Sequence, residues 1–339
     1  MRYYFFNELT MLFTKDETNY IKGIAIVLML IHHLFAFPGR IPYDANIINS
    51  LPFVGVSVDN YLANFSKICV AMFLFISGYG FSFKNKINFS YSIKKLKKLY
   101  FSFWLVFIIF IPIGFIFINN DWSDSSPLKL AKNILGVTSD YNGEWWFIRL
   151  YVVYVLMLPL ISRLNSLTLL VIAPLSTLVG YIFEASGGLF VILIWLYPFI
   201  IGYLFGRETD KLSVFIKKIN SIYINLLCVT LTVVLFYLFD MFGLILAAPL
   251  FIFIVRSFYR GTTHHKVIES LGKHSMYMWL THSFFCYYYT PEIIYSARHS
   301  PLILLLLILI SYSVSVILTY IEFTIKNSYA KLKYSLSTN

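Results

Sequence analysis

Two histidine-bearing segments hold the side chains best suited to proton transfer. The first runs from Lys22 through an apolar stretch to the pair His32-His33. At 3.6 residues per turn, the eleven steps from Lys22 to His33 bring the two to within roughly 20° of one face, about 16 Å apart along the axis. His32 points roughly 80° away. A neutral imidazole is a good general base near neutral pH, and a lysine at a helix mouth suits an anionic ligand. The plainer reading makes Lys22 a membrane anchor and the histidines partners of neighbouring helices.

The second segment runs from Leu271-Gly272-Lys273-His274-Ser275 through Tyr277 to His282. Ser275 and His282 are seven residues apart and share a helical face. His282 is expected at a depth comparable to His33, so one polar chamber holding both is expected beside the alternative of a structural interhelical bond.

Further candidates follow from charge in apolar surroundings, which is expensive in a membrane and usually partnered. Glu144-Trp145-Trp146 opens one apolar run, and Arg149 follows more than a turn inside it. Tryptophans at a helix entry commonly mark the interface, whereas Arg149 requires an anionic partner. The six lysines from Lys84 to Lys98, among them Lys94, Lys95 and Lys98, suit phosphate groups, although charge sorting across a membrane explains them equally. His264-His265 lacks further ligands at metal-binding spacing. Cys69, Cys228 and Cys286 lie far apart in apolar runs, so neither a disulfide framework nor a metal site is expected.

The elements that must position these groups are membrane helices. The 339 residues are 59% hydrophobic, 19% aromatic and 13% charged, with a mean hydropathy of +0.74. Soluble domains carry roughly 25% charged residues, so lipid must cover much of this surface. Apolar runs fall at 20–37, 61–83, 99–119, 144–162, 167–183, 188–206, 221–239, 241–256, 274–290 and 301–322. Each approaches the roughly 20 residues that one crossing needs. The expectation is an all-α, polytopic bundle of about ten transmembrane helices forming a single domain over 1–339, with a tight turn at Asp240 to Gly243 between the seventh and eighth.

Charge asymmetry orients the chain. With both termini cytoplasmic, 21 of the 27 basic residues fall inside and four in outer loops, as the positive-inside rule requires. The same rule accounts for the net charge of +11, so no nucleic-acid partner is expected. The outer loops 38–60 and 120–143 carry Asp44, Asp59, Asp121, Asp124 and Asp140, which a polar ligand from outside would meet first. No cleavable signal peptide is expected, since the first apolar run lacks a small-residue cleavage site.

Taken in order, these motifs resemble the acyltransferase-3 family of membrane O-acyltransferases. Lys22 and His33 match its basic-x10-His signature. Phe73-Leu74-Phe75-Ile76-Ser77-Gly78-Tyr79 resembles its second-helix motif, and Trp146-Phe147-Ile148 with Tyr154 and Pro159 its Trp-Phe-Leu segment. Leu271-Gly272, Ser275, Tyr277 and His282 resemble its late motif. The resemblance implies a plasma or inner membrane enzyme without a permanently bound cofactor. Its donor would be acetyl-CoA or another acyl-CoA, and its acceptor a hydroxyl of a polysaccharide or glycan-lipid. It implies a donor entering past Lys22, with Lys94, Lys95 and Lys98 available to its phosphates. His33 would activate the acceptor or an acyl carrier, for which Ser77 and Tyr277 qualify on general chemical grounds. His282 and Trp146 would shape the chamber, Ser275 would line it, and Arg149 would orient the acceptor or pair with Glu144. No extracytoplasmic hydrolase-like domain is expected after the last crossing. The alternative is a transporter or flippase of a polar solute or polysaccharide precursor, in which buried histidines relay protons.

Overall fold

Backbone polar groups in hydrocarbon must pair within their own segment, so apolar runs of this length become helices. A computed structural model describes residues 11–45, 47–48, 52–53, 56–117, 126–183, 188–219 and 222–338. Asp121 and Asp124 lie outside the described residues, as do 118–119 and 221 at the ends of two expected crossings and Arg2 near the N-terminus.

The first helix, α1 (Lys15–Phe35), is followed by a small antiparallel ribbon, β1 (Pro52–Phe53) with β2 (Val56–Ser57). Then come α2 (Val58–Phe65), α3 (Ile68–Ser82), α4 (Phe89–Phe117) and α5 (Pro127–Ile134). A 3-10 turn over Gly143–Trp145 leads into α6 (Trp146–Ile161), and α7 (Ser166–Ile182) follows. Next are α8 (Gly188–Ile194), α9 (Leu196–Arg207), α10 (Thr209–Ile219) and α11 (Ile222–Ser257). The chain closes with α12 (Thr263–Ser283), a π-helical stretch Phe284–Tyr289, α13 (Pro291–Tyr295) and α14 (Ser300–Thr338). Among the described residues seven helices are long and apolar enough to cross a membrane, and Ser166–Ile182 is a shorter apolar one.

Interruptions follow local chemistry. Pro198 sits in the first turn of α9, where an N–H has no intrahelical partner and its absence costs little. Asp240, inside α11, has φ 48° and ψ −122°. Beyond it, a Cβ on Gly243 would lie 1.8 Å from the Leu235 carbonyl oxygen. In a straight helix those residues would stand about 12 Å apart, so the chain doubles back at Asp240.

The described residues form two compact units. One comprises residues up to 29 with 64–95 and 150–273. Its most extensive helix contact is that of α3 with α9, where glycines let backbones touch. A Cβ at Gly78 would come within 2.0 Å of the Phe199 oxygen, and one at Gly202 within 2.0 Å of the Phe75 oxygen. Gly23 packs likewise on Ile268, and Gly272 on the Asn19 carbonyl. Thr14 and Glu17 form a capping box at the start of α1, with Thr14 N–H to Glu17 at 2.7 Å and Glu17 N–H to Thr14 at 3.2 Å. The other Glu17 oxygen accepts Arg256 Nε at 3.0 Å.

The second unit comprises 30–63, 96–149 and 274–339. Its interior is aromatic, with Phe103, Phe107 and Phe284 around Trp145. Leu302, Leu305, Leu309 and Ile317 of α14 remain exposed, a stripe suited to lipid contact.

Candidate active site at the end of the first helix

The last turn of α1 carries His32 and His33, and all the groups gathered around His33 belong to the second unit. Glu144 reaches it from the 3-10 turn. Its side chain is 8% exposed and that of His33 11%. Glu144 Oε2 lies 3.3 Å from His33 Nε2, and Oε1 accepts Arg40 Nη1 at 2.8 Å. The Arg40 guanidinium lies 4.6 Å from the Phe37 ring centre and 4.8 Å from that of Tyr287, a cation between two aromatic rings. Partial burial works against its charge, but the Glu144 hydrogen bond and carboxylate more than compensate and hold Arg40 above its ordinary pKa.

The turn bearing Glu144 is pinned on several sides. Asn142 Oδ1 accepts the Glu144 N–H at 3.1 Å. Asn142 is itself bonded to Ser283, donating through Nδ2 at 2.7 Å and accepting the serine hydroxyl at 3.0 Å. The Gly143 N–H donates to Tyr288 Oη at 3.2 Å, and Trp145 Nε1 to the Leu280 carbonyl at 3.1 Å.

His282 completes the cluster. Its ring centre is 4.8 Å from that of His33. Nδ1 lies 2.8 Å from the Trp279 carbonyl, so that nitrogen carries the proton and Nε2 presents a lone pair. That Nε2 is buried without a hydrogen-bond partner. Buried polar atoms are nearly always paired, and this one lies beside the buried His33–Glu144 pair.

The π-helical stretch after His282 widens the turn and spreads three consecutive tyrosines. The Tyr287 hydroxyl donates to the His33 carbonyl and lies 3.3 Å from His33 Nδ1. Tyr288 meets Gly143, and Tyr289 donates to the Phe110 carbonyl. Wider turns of this kind occur frequently at functional sites.

Of the residues singled out from sequence, the structure brings His33, His282 and Glu144 together. Arg149 does not pair with Glu144. Its guanidinium is exposed and donates to the Val137 carbonyl at 3.4 Å, while Glu144, at the middle of the 3-10 turn, is engaged by Arg40 and His33. Tyr277 donates its hydroxyl to Glu322 of α14, and Ser275 is buried on the same helix. Trp146 packs beside Phe147, whereas Trp145 faces the interior. Ser77 bonds back to the Phe73 carbonyl at 2.7 Å and belongs to the first unit, as do Lys22, Lys94 and Lys95. Lys95 lies 5.3 Å from the Tyr91 ring centre and 5.8 Å from that of Phe81. Lys94 is exposed, and Lys98 is exposed within electrostatic reach of Glu322.

Sequence reasoning missed Arg40 and Tyr287. Arg40 reads as a loop cation, and the run Tyr287-Tyr288-Tyr289 has no helical phase that marks one tyrosine, because the π turn breaks the phase. Among the described residues no group of three metal-ligating side chains occurs.

The family model for an acyltransferase domain of the acyltransferase-3 type matches residues 16–320. No curated protein and no solved structure matches the chain.

Proposed function

The chain belongs to the acyltransferase-3 family, and on that premise we propose that it moves an acetyl group from acetyl-CoA to a hydroxyl of a cell-surface or exported polysaccharide or glycan-lipid. A membrane acyltransferase must deprotonate a hydroxyl while a thioester is attacked. The Glu144–His33 pair carries this reading. With Nε2–H donated to Glu144, the lone pair of His33 lies on Nδ1, 3.3 Å from the Tyr287 oxygen. The acceptor hydroxyl presents its proton to that lone pair beside the Tyr287 hydroxyl, which stays bonded to the His33 carbonyl. A carboxylate that holds one imidazole nitrogen leaves the other as a correctly oriented base.

In the proposed step, the acceptor oxygen bonds to the acyl carbon as its proton passes to His33 Nδ1. The carbon–sulfur bond breaks, and the CoA thiolate takes the proton from His33. The free Nε2 of His282 accepts a hydrogen bond from the bound substrate. In the unit that carries His33, Lys98 supplies a cation for the donor's phosphates, and Trp146, Arg149, Ser275 and Tyr277 support the helices around the site; Lys22, Lys94, Lys95 and Ser77 belong to the other unit, where the three lysines are further cations suited to phosphate.

The proposed setting is one membrane domain of ten crossings in the plasma or inner membrane, with both termini cytoplasmic. The reversal at Asp240 supports two crossings within α11. Together with Ser166–Ile182 and α12 with its π extension, these bring the seven long spans to that number.

Labelled acetyl-CoA, supplied to membranes carrying wild type or His33→Ala, tests the reading. Label in polysaccharide that disappears with His33→Ala supports it. Wild-type protein that is correctly inserted and labels neither polysaccharide nor glycan-lipid removes it.

A further inference from the structure

Two chain segments leave the histidine cluster and meet again in an open cleft. After Arg40 the chain passes Pro42 and Asp44. After Tyr287 it passes Glu292, Tyr295, Ser296 and Arg298. These residues line a cavity of about 200 Å³. The cleft and the cluster lie in the same unit and are bonded to each other, since the Tyr295 hydroxyl donates to the carbonyl of Leu34, next to His33, at 2.9 Å. We propose that this cleft binds one neutral, hydroxyl-rich sugar ring of the acceptor, beside the ring that is acylated. The role as acceptor subsite rests on the function proposed above.

The lining selects the class of ligand. Asp44 and Glu292 supply carboxylate acceptors, Arg298 a guanidinium donor and Ser296 a hydroxyl able to do both. No ion pair within 4.0 Å joins Arg298 to either carboxylate among the described residues. Acids and base therefore share a cavity without neutralising one another. A free anion would meet two carboxylates, and a free cation would meet the guanidinium. A neutral ring with several hydroxyls satisfies all three, donating to the acids and accepting from the arginine. The volume suits one ring, because sites for larger ligands begin at about 300 Å³.

The rim is built rather than loose. Arg298 has φ 58°, a left-handed conformation that favours glycine. A charged side chain held there marks a functional hypothesis. The Ile48 N–H donates to the Arg298 carbonyl at 2.8 Å, Ile48 bridges to His299, and Ser300 donates to Asp59 at 2.7 Å. Such preorganisation reduces the ordering cost of binding.

The test is saturation-transfer NMR on the full chain, in micles of a detergent without a sugar headgroup, with methyl glycosides of common hexoses and N-acetylhexosamines as probes. Transfer to at least one glycoside is expected. It should be lost in Arg298→Gly, which removes the guanidinium where glycine is at ease, and in the Asp44→Asn, Glu292→Gln double variant. It should persist in His33→Ala, which is outside the cleft. No transfer to any glycoside, or undiminished transfer with Arg298→Gly and the double variant, overturns the proposal. Glycoside binding that maps to the cleft while wild type moves no acetyl would instead remove the reaction and leave a sugar site.

Discussion

His33 Nε2 lies 3.3 Å from Glu144 Oε2, and this contact decides which nitrogen of His33 is left basic. The carboxylate comes from a turn far along the chain, braced by Asn142 and Ser283, and Arg40 fills its second oxygen. A buried carboxylate with one cation and one imidazole is charge-balanced when the imidazole is neutral. Proton uptake by His33 then places a second positive charge beside the same carboxylate, which stabilises the imidazolium as it forms.

Glu144→Gln keeps the shape of this arrangement and removes its charge. The amide can donate to Nε2, which reverses the tautomer and places the proton on Nδ1. The turnover number should fall on the order of 10²–10⁴-fold, the range for loss of general base catalysis, with little change in the acceptor KM. Steady-state transfer kinetics check this, and a variant with wild-type turnover would end the pair's assignment as catalytic.

Tyr287→Phe retains the ring beside Arg40 and removes the hydroxyl from His33. If the tyrosine only orients the imidazole, turnover drops about 10-fold, as expected for losing a hydrogen bond worth roughly 1.5 kcal/mol, and the acceptor KM is preserved. Complete loss of transfer, with acyl label recoverable on wild-type Tyr287 after denaturation, would make it an acyl carrier instead.

The helical architecture was legible because apolar runs of bilayer length have few other solutions. The approach of His33 to His282 was foreshadowed by two histidines at matching depth. Arg149 misled because depth in the sequence was read as burial, whereas its long side chain escapes to the exposed Val137 carbonyl. Tyr277 was named as a candidate acyl carrier, whereas the structure gives its hydroxyl a partly buried acceptor, the carboxylate of Glu322. Arg40 and Tyr287 were invisible because tertiary packing and a π turn, not periodicity, bring them to Glu144 and His33.

His32 and His33 are adjacent but should fail differently. His32 Nδ1 donates to the Ala63 carbonyl at 2.8 Å, and its ring is buried. His32→Ala leaves that carbonyl unpaired and should cost about 1–3 kcal/mol of stability, with turnover nearly preserved in the protein that folds. His33→Ala should abolish transfer while shifting the melting temperature little. Thermal unfolding in micelles beside transfer assays separates the two, and a reversed pattern would exchange their roles.

Gly272 and Gly202 test whether the helices of the first unit require backbone contact. A Cβ on Gly272 would stand 1.8 Å from the Asn19 carbonyl oxygen, and one on Gly202 2.0 Å from that of Phe75. Both obstacles are backbone atoms, which cannot rotate aside, so relief demands separation of the helices. Gly272→Ala and Gly202→Ala should each destabilise by about 1–3 kcal/mol, the cost of overpacking. Ala at Gly39, where nothing lies within 4 Å of the added carbon, should be silent. Melting temperatures of the three purified variants decide the matter. Equal values would mean that the crossings open without cost, and the packing of α3 on α9 would then not be what holds this unit together.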